Sequence, residues 1–435
     1  MSFSRFQFAG NVRIRIACFV GLLLASVASG EDWPQFRGPT GLGYTRQTAL
    51  PIRWGGPENE NVLWRSPLVG EGHASPIVSG DRVFVCTVHW PESVQDRTKV
   101  IPEHHVLCFS TKDGQRLWDV TVPPGPWLRT DFRSGPGGGY AAPTPTTDGK
   151  LVYVVFSSSV IAALDYQGRV VWRKEIVPYT FDVTIGSSPV LFNNSLLMLC
   201  AMAKRSDSKL VAYDKADGSI RWETPLPQTG FGHSTPACIE VGGRKQLIVV
   251  ASGISESERG VQSLDPGTGK VLWRCRGAGD VASAAYGSGI VYCDSGRGGP
   301  GVAIDPTGSG DVTQSHIRWR VNQVPEGIGS PIIVDKWVYR LHRPNVLKCW
   351  QVESGEQVYA ERLDRLTSTW ASPIADAAGR LYFATAGVSY VIQSGADLKV
   401  LAINDLGDPN HASPAISNGK IYLVGTRHVY CVGVK

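Results

Sequence analysis

Thr111-Lys-Asp-Gly114-Gln-Arg-Leu-Trp118 places a turn ending in glycine four residues ahead of a tryptophan. The same step recurs as Gly168/Trp172, Gly218/Trp222, Gly269/Trp273 and, with another ring, Gly355/Tyr359. Glycine there supplies the positive φ of a hairpin turn, and the ring belongs to a strand that packs against the next sheet. Trp319 follows a longer insertion, and Leu401 replaces the ring after Ser394-Gly-Ala-Asp397.

A second signature alternates with the first. It reads His73-Ala-Ser-Pro76, Tyr140-Ala-Ala-Pro143, Gly186-Ser-Ser-Pro189, His233-Ser-Thr-Pro236, Val281-Ala-Ser-Ala284, Ile328-Gly-Ser-Pro331, Trp370-Ala-Ser-Pro373 and His411-Ala-Ser-Pro414. Successive copies lie 41 to 67 residues apart, near the length of one propeller blade except where loops are inserted. Between the signatures stand short runs apolar on both faces, such as Leu151–Val155, Leu247–Val250 and Ile421–Val424, as strands between two sheets require. Turn residues punctuate the chain at short intervals, and no helical period follows the first thirty residues.

The reading is therefore all-β, an eight-bladed β-propeller of four-stranded blades. The eighth copy supplies three strands before the chain stops, while Asn61-Val-Leu-Trp64-Arg-Ser is a tryptophan strand without a blade. The two ends are expected to complete one blade together, so that the last blade is closed by an N-terminal strand and no sheet edge is left open.

Residues 1–30 carry Arg5, Arg13 and Arg15, then the nine apolar residues Ile16–Leu24, then Ala28-Ser-Gly30, the pattern of a secretory signal. Nine residues are about half a membrane span, so no transmembrane segment is expected once the signal is removed. Residues 31–60 read as an N-terminal extension and residues 61–435 as the propeller. The formal charge of +5 falls to +2 without the three arginines of the signal, too little to suggest nucleic acid. Eight cysteines remain, among which Cys86 and Cys108 fall on neighbouring strands. They either pair in an oxidising compartment or fill a β core as small buried thiols.

With both signatures in hand, residues 61–435 resemble the PQQ-repeat propeller superfamily, which includes quinoprotein dehydrogenases and the assembly lipoprotein BamB. The segment Asp32-Trp-Pro-Gln-Phe-Arg-Gly-Pro-Thr-Gly41 is similar to the opening of secreted bacterial proteins of this group. WD-repeat propellers are the competing fold, but Gly-His and Trp-Asp signatures do not recur. The resemblance implies two functions. One is an exported, non-catalytic binding or scaffold module, BamB-like in architecture, in the periplasm, cell envelope or extracellular space. Its partner would be an envelope protein or an anionic small ligand, and the chain would be a monomer. The other is a PQQ-dependent quinoprotein dehydrogenase holding PQQ and calcium. That reading is not favoured, because the chain lacks a Cys-Cys pair, is shorter than those enzymes and offers only Asp131 as a base. Cys18 lacks the setting of a lipid-attachment cysteine, a departure from BamB.

Candidate ligand-binding residues come from two positions. Those three before each signature proline stand where the chain enters its innermost strand. His73, Tyr140, His233, Trp370 and His411 occupy five of the eight. They either form a ring that stacks a flat ligand or holds a metal, or simply plug the channel rim. Inner loops contribute one arginine from each of five blades, Arg205, Arg259, Arg297, Arg343 and Arg427, suited to carboxylates or phosphates. Asp207, Glu256, Glu258 and Asp294 lie in or beside these loops and are available to neutralise part of that field. No catalytic residue and no metal ligand is assigned.

Overall fold

The computed structural model describes residues 1–2, 31–128, 139–176, 185–200, 205–227, 229, 233–251, 260–368 and 370–435. Residues 31–435 form one unit. The signal assigned to residues 1–30 lies almost entirely outside the described residues.

Eight antiparallel sheets follow one another along the chain as blades 1 (77–122), 2 (146–175), 3 (190–225), 4 (237–276), 5 (285–326), 6 (332–362), 7 (374–404) and 8 (415–433). In each the strands pair in chain order from the channel outward. Blade 8 takes its outermost strand from the other end of the chain: Val62–Pro67 runs antiparallel to His428–Gly433, with Val62 opposite Val432. The expected closure is present. Blade 4 departs from four strands, because the insertion after blade 5's third strand sends Gly310–Asp311 back to pair with Val271–Arg276.

Second and third strands are buried on both faces, as in Val85 and Leu107 of blade 1 or Leu197 and Val211 of blade 3, and sheet-to-sheet contacts form the core. Fourth strands are half solvated. Leu117, Val171 and Ile220 stand out there, and the first two sit in a bulge repeated beside the signature ring.

Those rings explain the glycine that precedes them. In five blades the indole lies under the turn glycine of the following blade. A Cβ added at Gly114 would stand 2.6 Å from Trp64, one at Gly269 2.6 Å from Trp222, and one at Gly355 2.5 Å from Trp319. The same glycines have φ of 72–75°, which glycine adopts without strain. Four of these indoles, those of Trp64, Trp118, Trp172 and Trp319, also donate their N–H to the neighbouring turn's carbonyl, Trp118 to Tyr166 at 3.0 Å and Trp172 to Lys215 at 2.9 Å.

The Ser-Pro signature has an equally definite role. The backbone N–H of Ser75 donates to the hydroxyl of Thr144, and Thr144, Ser188, Thr235, Ser283, Ser330, Ser372 and Ser413 continue the pattern, each to the next blade. Ser413 N–H returns to Ser75, so eight bonds of 2.9–3.3 Å close a ring around the channel. This ring sets the register of the repeats. Blade 5 is a regular member through Ser283 despite its missing proline. Blade 2 joins through Thr144, so its signature is Ala142-Pro-Thr-Pro145, two residues later than Tyr140-Ala-Ala-Pro143.

Residues 31–60 enter the channel from the end where first and second strands turn. Trp33 and Val78 exchange two backbone bonds, Pro34 accepts from Thr147, and Gly43 and Thr45 bracket Ala375. Arg37, with φ +60°, is carried into the channel and is 1 % exposed. The segment then leaves along blade 7, where Asn404 bonds to Trp54 and Ile52. Among the described residues no disulfide joins any of the eight cysteines, Cys86 and Cys108 included, whose places are diagonal in the register. No helix of the described residues is long and apolar enough to cross a membrane.

Candidate functional site at the channel mouth

The mouth is at the other end, where the blade-to-blade connections and the loops between second and third strands emerge. Loops on a rigid scaffold are the usual seat of binding. Blades 7, 8 and 1 bring three of the five ring candidates together there. Trp370 stacks on His411 with centroids 4.6 Å apart and planes 27° apart, and His411 meets His73 edge-on at 5.0 Å. All three are half-buried.

Two residues missed in the sequence orient them. Asn410 donates through Nδ2 to the carbonyls of Gly72 and Gly425, so its Oδ1 is an acceptor; it takes the His411 N–H at 2.6 Å and a bond from His73 Nδ1 at 2.8 Å. His73 Nδ1 therefore carries a proton. Ser368 Oγ accepts from the N–H groups of Trp370 and Ala371, leaving its own proton for His411 Nδ1 at 2.9 Å. Burial first, then the charges of His73 and Arg343, lower the His411 pKa to about 4. At neutral pH it is an uncharged ring with its proton on Nε2. An Asn or Ser just before a signature is the signal that could have found both.

The rest of the rim is different. His233 is half-buried over Gly186, where an added Cβ would lie 2.5 Å from its Nδ1. Tyr140 is not at the rim. The blade 2 register puts Ala142 there, and Tyr140 is fully buried between blades 1 and 2 against Trp90, at 5.8 Å, and His104, at 6.0 Å. The two-residue slip arises because Pro143 imitates the signature proline that Pro145 supplies.

Three arginine candidates are already held. Arg297 bonds through Nε to Asp280 at 2.7 Å, Arg343 to Glu326 at 2.9 Å, and Arg427 approaches Asp408 at 3.5 Å. Asp280 and Asp408 are buried, so the pairs are anchored from beneath. These carboxylates come from the connections and the last strand of blade 5, not from the loop acids read in the sequence. Asp294 does hold an arginine, but it is Arg340 of blade 6, in a fully buried bidentate pair with both bonds 2.9 Å. Arg205 opens a 3-10 turn, Arg205–Asp207. Arg259, Asp131, Glu256 and Glu258 lie outside the described residues. Among the described residues no three His, Cys, Asp or Glu side chains converge as a metal site.

Residues 56–206 and 157–372 match the family model described as "Outer membrane protein assembly factor BamB". The chain belongs to that BamB family. No curated protein matches the sequence. Similar solved structures include BamB from Moraxella catarrhalis, at TM-score 0.58 and 10 % identity over 85 % of this chain and 97 % of that one. A europium-containing methanol dehydrogenase has TM-score 0.66 and 11 % identity over 92 % and 89 %. The quinohemoprotein alcohol dehydrogenase of Comamonas testosteroni has TM-score 0.66 and 14 % identity over 94 % and 81 %. At these identities the likeness is one of fold, which the BamB family shares with quinoprotein enzymes.

Proposed function

We propose that this BamB-family chain is exported and works outside the cytoplasm as a non-catalytic binding or scaffold propeller, taking a protein segment on its loop face. The observation that carries the reading is the pairing of Arg297, Arg343 and Arg427 with Asp280, Glu326 and Asp408. With each exposed arginine paired to a carboxylate, the mouth presents an indole, a neutral imidazole and loop edges among balanced charges, suited to side chains and peptide groups rather than to a polyanion. The leader-like residues 1–30 and the envelope role in the family's description support export.

The quinoprotein alternative fits these residues poorly. PQQ is a tricarboxylate and calls for uncommitted cations or a metal beside a stacking ring. Trp370 offers a half-buried ring, the only part of that set supplied by the described residues of the mouth. The test is titration of the mature protein with PQQ, with and without calcium, followed by tryptophan quenching and calorimetry. No saturable binding is expected up to about 1 mM, where affinity would be worth only about 4 kcal/mol. One-to-one binding that weakens in Trp370→Ala would overturn the proposal in favour of a dehydrogenase.

A further inference from the structure

Arg37 is a buried cation with no counter-charge among the described residues. Its guanidinium donates to three carbonyls, Ala284 at 3.1 Å, Leu42 at 2.9 Å and Pro331 at 2.7 Å, and its Nε has no partner among the described residues. Carbonyls satisfy hydrogens but not charge, and a guanidinium does not give up its proton. The nearest acids in the sequence are engaged elsewhere: Glu31 accepts from Thr45 and the Arg46 N–H, and Asp32 from Ser79 and the Gly80 N–H. The charged neighbour Arg340 is balanced by Asp294 and adds nothing negative. An isolated charge out of water is costly enough that proteins supply a partner.

The hydroxyl ring lies beside it. Ala284 and Pro331, which hold Arg37, directly follow the ring members Ser283 and Ser330. Every ring oxygen accepts one backbone N–H, which leaves its proton to give, and among the described residues no protein acceptor takes any of the eight. All eight side chains are buried. A cation lacking an anion and a circle of hydroxyls lacking acceptors are complementary deficits.

We propose that the channel holds a small inorganic anion of chloride size, set against the Arg37 guanidinium and hydrogen-bonded by hydroxyls of the ring, Ser283 and Ser330 first. The N-terminal segment thereby becomes half of a binding site whose other half is the repeat itself.

The test uses the full mature protein. Melting temperature is measured as chloride replaces gluconate at constant ionic strength, and crystals grown in sodium bromide are examined for anomalous signal. The melting temperature is expected to climb with the logarithm of chloride concentration in the wild type and to stay flat in Arg37→Met. Ser330→Ala, which keeps Arg37, should need at least threefold more chloride for the same shift, and it serves if the methionine variant does not fold. A bromide peak within hydrogen-bond reach of Arg37 or the ring supports the site. A channel without that peak overturns it, whatever the melting curves show.

Discussion

The backbone N–H of Ser413 donates to the hydroxyl of Ser75 at 3.0 Å, joining residues 338 apart in sequence and closing a hydrogen-bonded circle that passes once through every blade. Ser75→Ala would leave a buried N–H without a partner, at a cost of about 1–3 kcal/mol. Ser75→Thr, which copies Thr144 and Thr235, should cost much less. Urea denaturation midpoints of the two variants check this, and equal loss in both would mean that the hydroxyl has no part in closure.

Turn glycines should fall into two classes. Gly289 has φ +74° and open space around it, so Gly289→Ala costs backbone strain alone, about 1–2 kcal/mol. Gly355→Ala adds a collision with Trp319 at 2.5 Å and should cost about 1–3 kcal/mol more. Thermal unfolding of the two variants measures the difference.

Arg340 and Asp294 are wholly enclosed, and Arg340 also donates to the carbonyls of Gly327 and Gly329. Arg340→Met strands a carboxylate and is expected to destabilise by about 3–5 kcal/mol. Replacing both members with apolar residues should restore much of that loss. A double-mutant cycle reads the coupling directly.

Acid should act through buried histidines before it acts on carboxylates. Burial lowers His411 to about 4 and His104 and His342 to about 3, against an ordinary value near 6.5. Between pH 6.5 and 4 the unfolded chain takes up protons that these folded side chains refuse, so stability is full above 6.5 and declines as pH falls. His411→Gln should make the decline shallower. Urea midpoints at pH 7.5 and 4.5 give the slope, and an unchanged slope would place the proton uptake elsewhere.

The repeat signatures, the blade count and the shared eighth blade were legible because they rest on local necessities. A hydroxyl before the inner strand recurs at every repeat and a glycine over an indole at five of them, whatever the function. Tyr140 was misplaced where two prolines, Pro143 and Pro145, compete for one role. The arginine pairings went unread for another reason: Asp280, Glu326 and Asp408 precede their arginines by 17, 17 and 19 residues, a step that brings the connection entering a blade beside that blade's own inner loop only once the strands are folded. The fifth strand on blade 4 was equally invisible, since Gly310–Asp311 has no strand-like composition.

Val62–Pro67 is made early and His428–Gly433 more than 360 residues later, yet they are neighbours in one sheet. As the chain lengthens, the early strand therefore waits with a bare edge, a template on which another copy could add. Removing the final eight residues would not yield a slightly smaller ring. It would leave both Val62–Pro67 and Lys420–Val424 permanently exposed on one side, turning a closed, self-limiting object into one with two adhesive seams.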